Sequence, residues 1–159
     1  KVYGGFNTSL SWKGFDLSAI FAYSIGGYIY NRDITMILHN GSLEGRDWST
    51  EILKRWTPEN RYTDVPALST TSNNWNSAST RFLQNNSYMR LKNLTLSYDL
   101  PKQWISKLAL SSVQVFVQGD NLFTIHRNQG LDPEQGITGI TYYRYPAMRT
   151  ISGGINLSF

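Results

Sequence analysis

From Arg149 to Phe159 the sequence alternates at every residue. Ile151, Gly153, Ile155, Leu157 and Phe159 fall on one side, and Thr150, Ser152, Gly154, Asn156 and Ser158 on the other. A two-residue period is that of a β-strand, whose successive side chains leave opposite faces of the sheet. One face is apolar and the other small and polar, and the pattern closes on an aromatic with no polar tail. A soluble sheet seldom leaves such a strand unprotected, because an apolar edge recruits other chains. A membrane barrel tolerates it, since its last strand pairs with its first and no edge is left.

Earlier stretches repeat the pattern. Val2, Gly4, Phe6, Thr8, Leu10 and Trp12 alternate with Tyr3, Gly5, Asn7, Ser9 and Ser11. Lys13-Gly14 then gives the two-residue break that tight hairpins use. The apolar phase moves to Phe15, Leu17, Ala19, Phe21, Tyr23, Ile25 and Ile29, with Ile20 as the exception. A third strand is expected over Tyr88–Leu100; its phase flips near Lys92–Asn93, which predicts a bulge there or emergence from lipid. After Pro101, residues 102–110 suit one short helical turn, and Val113, Val115 and Val117 open a fourth strand that runs to Phe123. Periodicity is lost over residues 31–84, apart from possible short helices at 34–38 and 51–56, and again over 125–145.

Composition supports a membrane sheet over a soluble domain. Charged residues are 16% and aromatics 14%, against about 25% charged in soluble domains. No apolar run reaches the ~18 residues of a spanning helix, which leaves a barrel untouched because alternate barrel residues are polar. Cysteine is absent, so disulfides and thiolate metal sites are excluded. The net charge of +4 is spread along the chain, without the basic stripe that nucleic-acid binding needs.

Connections alternate short and long, as in barrels with short periplasmic turns and long outer loops. Phe159 is then expected at the periplasmic rim and Lys1 near the outer surface. About five strands cannot close a barrel, since small ones need about eight. The chain also opens inside a strand pattern, so the expectation is a piece whose beginning lies elsewhere.

Particular motifs go further than periodicity. The run from Asn86 to Pro101 (NSYMRLKNLTLSYDLP), Val115–Thr124 (VFVQGDNLFT) and Gly130–Glu134 (GLDPE) resemble the C-terminal end of SusC/RagA-like TonB-linked outer-membrane proteins of Bacteroidota. The hairpin Trp12–Leu17, Trp56–Asn60 (WTPEN) and Tyr145–Thr150 leading to Phe159 fit the same pattern, so the likeness runs along essentially the whole chain. The resemblance implies an all-β, antiparallel transmembrane β-barrel of about 22 strands, of which residues 1–159 would be the last five or so, with the plug domain absent. It implies import of oligosaccharides or peptides with a SusD-like surface lipoprotein as lid. Energy would come from the TonB complex acting through the missing plug. Other expected partners are the remaining barrel strands, the lipid bilayer of the bacterial outer membrane and, further, a second transporter–lipoprotein pair in a dimer. Neither a cofactor nor an enzymatic activity is expected.

In that frame Phe6, Leu10, Leu17, Phe21, Val115, Val117, Ile151, Ile155 and Leu157 are the candidate lipid-facing residues, and Phe159 the assembly terminus. Trp48, Trp56, Trp75, Tyr142, Tyr143 and Tyr145 lie in the expected outer loops. There they are candidates for stacking on substrate or meeting the lid, against plain loop packing or an interfacial girdle. Trp12 and Phe15 beside the short turn suit a girdle. Arg90, Lys92, Arg127, Arg144 and Arg149 are weighed as a phosphate- or acid-binding rim against scattered solvated charge. Asp132 and Glu134 could form a carboxylate pair, but Pro133 between them also marks a turn. His39 and His126 lack a metal-spaced partner motif and are expected on loop surfaces. Asp120-Asn121 would line the lumen or satisfy a bulge, and the Asn-x-Ser/Thr matches at Asn7, Asn93 and Asn156 fall inside strands. Three alternatives stand beside this reading: a lidless siderophore-type receptor, a soluble glycan-binding β-sandwich that buries Ile151, Ile155 and Leu157, and a glycoside hydrolase.

Overall fold

A computed structural model describes residues 1–159 apart from 40–42, 44, 70, 72–76, 106–109, 129, 131 and 135–137. The elements in order are β1 (Val2–Trp12), β2 (Phe15–Ile25), β3 (Tyr28–Tyr30), α1 (Arg32–Ile37), two 3-10 turns (Thr50–Lys54 and Thr80–Phe82), β4 (Leu83–Asn85), β5 (Tyr88–Asp99), α2 (Lys102–Ile105), β6 (Ser112–His126) and β7 (Thr150–Ser158). They fall into two compact units, one of Lys1–Gly27, Asn86–Pro133 and Pro146–Phe159, the other of Tyr28–Asn85 and Glu134–Tyr145.

The first unit is a five-stranded sheet in the order β1-β2-β5-β6-β7, antiparallel at every pairing. Lys13 and Gly14 make the first turn with φ of 46° and 86°, the doubly positive combination whose twist matches a hairpin. Cross-strand register then sorts the side chains. One row runs Leu10–Leu17–Leu96–Val117–Gly153 and the next Trp12–Phe15–Tyr98–Val115–Ile155. On the opposite face lie Ser9–Ser18–Thr95–Gln118–Ser152 and Asn7–Ile20–Asn93–Asp120–Thr150. So the sheet has one apolar and one polar face, with Ile20 on the polar one.

The expected irregularity near Lys92–Asn93 is a bulge. Phe21 faces Leu91 while Ile20 faces Asn93, so Lys92 is the extra residue of β5 against β2. Between Asp120 and Phe123, β6 in turn carries one residue more than β5 does between Asn93 and Leu91. Asn121 there takes φ 52°, a left-handed geometry that asparagine tolerates better than most residues. The β5 insertion shifts its apolar phase so that Leu91 shares the face of Leu94, and the extra residue in β6 keeps Phe123 opposite Leu91 on the face of Val117.

Some boundaries differ from the periodicity. β2 stops at Ile25 because Gly26 and Gly27 turn with φ of 77° and 90°. Ile29 therefore belongs to β3, where it is 1% exposed. β6 continues to His126, past Phe123, so the second aperiodic stretch begins later than residue 125.

The second unit is built from polar sequence without long periodicity, yet its backbone is paired. β3 pairs with β4 in a two-stranded ladder, and Ile140 bridges Tyr30 from a third segment. Tyr30 N–H donates to Gly139 O at 2.8 Å, and Thr141 N–H to Tyr30 O at 3.0 Å. Asn31 caps α1 by accepting from Ile34 N–H, which satisfies one of the free donors of a helix start. Ile29, Phe82, Leu38, Ile52 and Val65 are buried and supply the apolar packing. The expected helical pieces occur as α1 and as a 3-10 turn at Thr50–Lys54.

Candidate functional site

The apolar face of the sheet is the first candidate surface. Phe6 and Phe21 stack at 4.7 Å, and Leu10 lies opposite Leu17. Val115 faces Ile155, and Val113 faces Leu157. Ile151, Ile155 and Leu157 are 75%, 63% and 52% exposed, the reverse of what a β-sandwich interior requires. A β1 of 11 residues, at ~3.3 Å each and tilted by roughly 40°, covers about 25 Å along the membrane normal, the height of a barrel's apolar belt. Trp12, Phe15 and Tyr98 cluster at the short-turn end, with Phe15 on Tyr98 at 4.4 Å. Phe159 follows β7 at that same end, where Ser111 N–H donates to Ser158 O and Asp99 N–H to Gly14 O, each at 2.8 Å.

A groove of about 290 Å³ indents this face between Leu17, Leu94, Leu96, Val117, Leu122 and Ile151. Its floor is Gly119, over which the bulge folds Leu122. A Cβ at Gly119 would meet Leu122 Cδ2 at 2.7 Å.

The loop aromatics form the second candidate surface, within the second unit. Tyr142 and Tyr143 pack edge to face at 5.0 Å. Arg32 sits over the Tyr142 ring at 5.0 Å, and Arg46 reaches the Tyr143 hydroxyl at 3.4 Å. Tyr143 N–H donates to Asp33 Oδ1 at 3.0 Å, which holds Tyr143 in its left-handed φ of 43°. Trp48 packs edge-on against His39 at 5.3 Å. Trp56 starts a separate turn, where its N–H donates to Val65 O, and Tyr145 is 92% exposed. Trp75 lies outside the described residues. Tyr142 and Tyr143 are thus brought together, whereas Trp56 belongs to a different local structure.

Two expectations need correction. His39 is not a surface residue: it is 1% exposed, takes the Leu43 N–H on Nδ1, and turns its ring against Trp48. Arg90 does not join an exposed cationic rim. Its position in β5 faces the polar side, where Nη2 meets Asp132 Oδ1 at 2.5 Å with both side chains under one-tenth exposed. Arg90 Nε also donates to Thr124 Oγ1 at 2.8 Å. Asp132 Oδ2 accepts the Ala147 N–H at 2.7 Å. A carboxylate so held is a structural counter-ion, and Glu134 is exposed. Periodicity gave no hint of this ion pair, since its partners lie 42 positions apart. Asp120 and Asn121 serve the bulge: Asp120 accepts from Asn93 Nδ2 at 2.8 Å, and Asn121 Nδ2 donates to Met148 O. Among the described residues, no three His, Cys, Asp or Glu side chains gather as metal ligands.

Comparison with known proteins gives consistent neighbours. No family model matches the sequence. The chain is 33% identical over 98% of its length to TonB-dependent receptor P3 of Formosa agariphila, covering 16% of that protein. It is 28% identical over 99% of its length to TonB-dependent receptor SusC of Bacteroides thetaiotaomicron, covering 15% of it. Among solved structures it matches a chain of the RagAB peptide importer in the closed-closed state, with a TM-score of 0.86, 35% identity, and coverage of 99% of this chain and 17% of that one. The chain thus spans about one-sixth of the length of the relatives it matches.

Proposed function

The chain is a barrel segment of the SusC/RagA-like, TonB-dependent receptor family of the bacterial outer membrane, and on that premise we propose that it forms part of the wall and outer loops of a nutrient importer. The observation that carries this reading is the two-faced sheet, whose outward apolar face and strand length suit a bilayer while its polar face suits a water-filled lumen. Phe6, Leu10, Leu17, Phe21, Val115, Val117, Ile151, Ile155 and Leu157 contact lipid in this proposal. Phe159 marks the strand end that guides assembly.

The cargo is an oligosaccharide or a peptide. It is captured with a SusD-like lipoprotein acting as lid, and moved when the TonB complex pulls on a plug contributed by the rest of the protein. The exposed aromatics Trp48, Tyr142, Tyr143 and Tyr145 and the cation Arg46 supply stacking planes and hydrogen bonds to cargo or lid. No bond is made or broken: the work is gated passage.

The test is native mass spectrometry of the full-length transporter purified from outer membranes, combined with uptake of labelled oligosaccharides and oligopeptides by the cells. Co-purification of a lipoprotein, with uptake abolished by a protonophore, is the expected result. A transporter that emerges without a lipoprotein and binds only ferric siderophores would instead be a lidless receptor, and the reading would fall.

A further inference from the structure

The segment 134–145, which carries Tyr142 and Tyr143, leaves the first unit at Pro133 and returns to it at Pro146. An aspartate side chain bridges its two feet. Asp132, on the outgoing foot, accepts the backbone N–H of Ala147, on the returning foot, at 2.7 Å. The same carboxylate is fixed to the strand framework through Arg90 of β5 at 2.5 Å. Arg90 is in turn oriented by Thr124 of β6. The charged pair is almost fully removed from solvent, a situation sustained only when each charge is paired and hydrogen-bonded. Asn121 of the β6 bulge adds a second tie to the returning foot through Met148 O at 3.2 Å.

We propose that Asp132 is the positioning residue that clamps the mouth of the 134–145 excursion to the barrel wall, so that nutrient affinity depends on it although it touches no nutrient. The dependence on affinity rests on the importer reading above; the clamp itself does not. A carboxylate is suited to the task because its two oxygens point to different partners, one for the guanidinium and one for the returning backbone. Leu or Ala at 132 would take the carboxylate away from the buried Arg90 guanidinium and free the Ala147 amide. Asn would keep an acceptor while losing the charge.

The experiment is amide hydrogen exchange on the full-length transporter in detergent, for wild type, Asp132→Asn and Asp132→Ala, following peptides that contain Ala147. Loss of a charge-assisted hydrogen bond predicts exchange about 10- to 100-fold faster in Asp132→Ala, with Asp132→Asn in between. β1, β2 and the electrophoretic mobility of the unboiled barrel should not change. Nutrient uptake by the same variants should show a raised half-saturation concentration with maximal rate retained, partly rescued in Asp132→Asn. Unchanged exchange at Ala147 in Asp132→Ala overturns the clamp. So does exchange raised equally across β1 and β2, since Asp132 would then serve the whole barrel and not the loop. If Asp132→Ala does not assemble, Asp132→Asn decides alone: wild-type exchange at Ala147 together with wild-type uptake overturns the proposal. Faster exchange with unaltered uptake overturns the dependence of nutrient affinity on Asp132 while the contact with Ala147 stands.

Discussion

Replacing Phe6 by Arg, with the neighbouring Asn7→Arg as its control, puts the two-faced sheet to its most direct test. The β1–β2 ladder runs from Val2↔Ile25 to Trp12↔Phe15, so its midpoint is the Asn7↔Ile20 pair. Phe6 lies one residue from that midpoint, or about 3 Å along the membrane normal for a strand rising ~3.3 Å per residue at a tilt of roughly 40°. It is 49% exposed and stacks on Phe21 at 4.7 Å with planes 15° apart. A guanidinium on the lipid face near the midplane costs about 2–4 kcal/mol, and loss of the ring pair adds about 0.5–1.5 kcal/mol. Phe6→Arg should therefore destabilise the folded barrel by about 2.5–5.5 kcal/mol. Asn7→Arg, on the polar face, should stay within about 0.5 kcal/mol. The assay is refolding of the full-length transporter into phosphatidylcholine vesicles across a guanidinium series, scored by mobility of the unboiled protein. Phe6→Leu, which keeps the apolar surface, should lose only the ring-pair contribution. If Asn7→Arg proves as costly as Phe6→Arg, lipid does not lie on the side assigned to it and the importer reading loses its footing.

Two further outcomes follow from single positions. Gly14→Val should lower barrel stability by about 1–2 kcal/mol, because φ is 86° there and a Cβ would stand 3.1 Å from Asp99 O; the same refolding series measures it. Gly119→Ala should cost about 1 kcal/mol by pushing on Leu122, and the loss should shrink when Leu122→Ala is made in the same chain. Strict additivity in that double-mutant cycle would mean the two positions do not share the groove floor.

Much of the sheet was legible because its signal is local. Alternation over 9 to 15 residues marks β1, β2, β5, β6 and β7, and the phase flip at Lys92–Asn93 announced the bulge because a strand's side chains change face with every residue. At Asp120-Asn121 the sequence left a lumen-lining role and a bulge as alternatives, since the valine run before it keeps its phase, and the ladder against β5 reveals the extra residue. The pairing of β3 with β4 also escaped, each strand being three residues long, too short for a period to register. His39 looked like an exposed loop residue because nothing in its neighbours foretells Trp48 closing over it.

By itself, then, the sequence determined where the five long strands lie, which side of each is apolar, and, through motifs such as Asn86–Pro101, the family the chain resembles. Tertiary structure alone decided that Arg90 is buried against Asp132 and that Asp132 ties down Ala147. It also decided that Tyr142 and Tyr143 share a patch with Arg32 and Arg46. The physical reason is range. A strand's facing repeats every two residues and is written into adjacent side chains, whereas an ion pair between a strand and a distant turn depends on the path of polar chain between them, and that path has no period to reveal it.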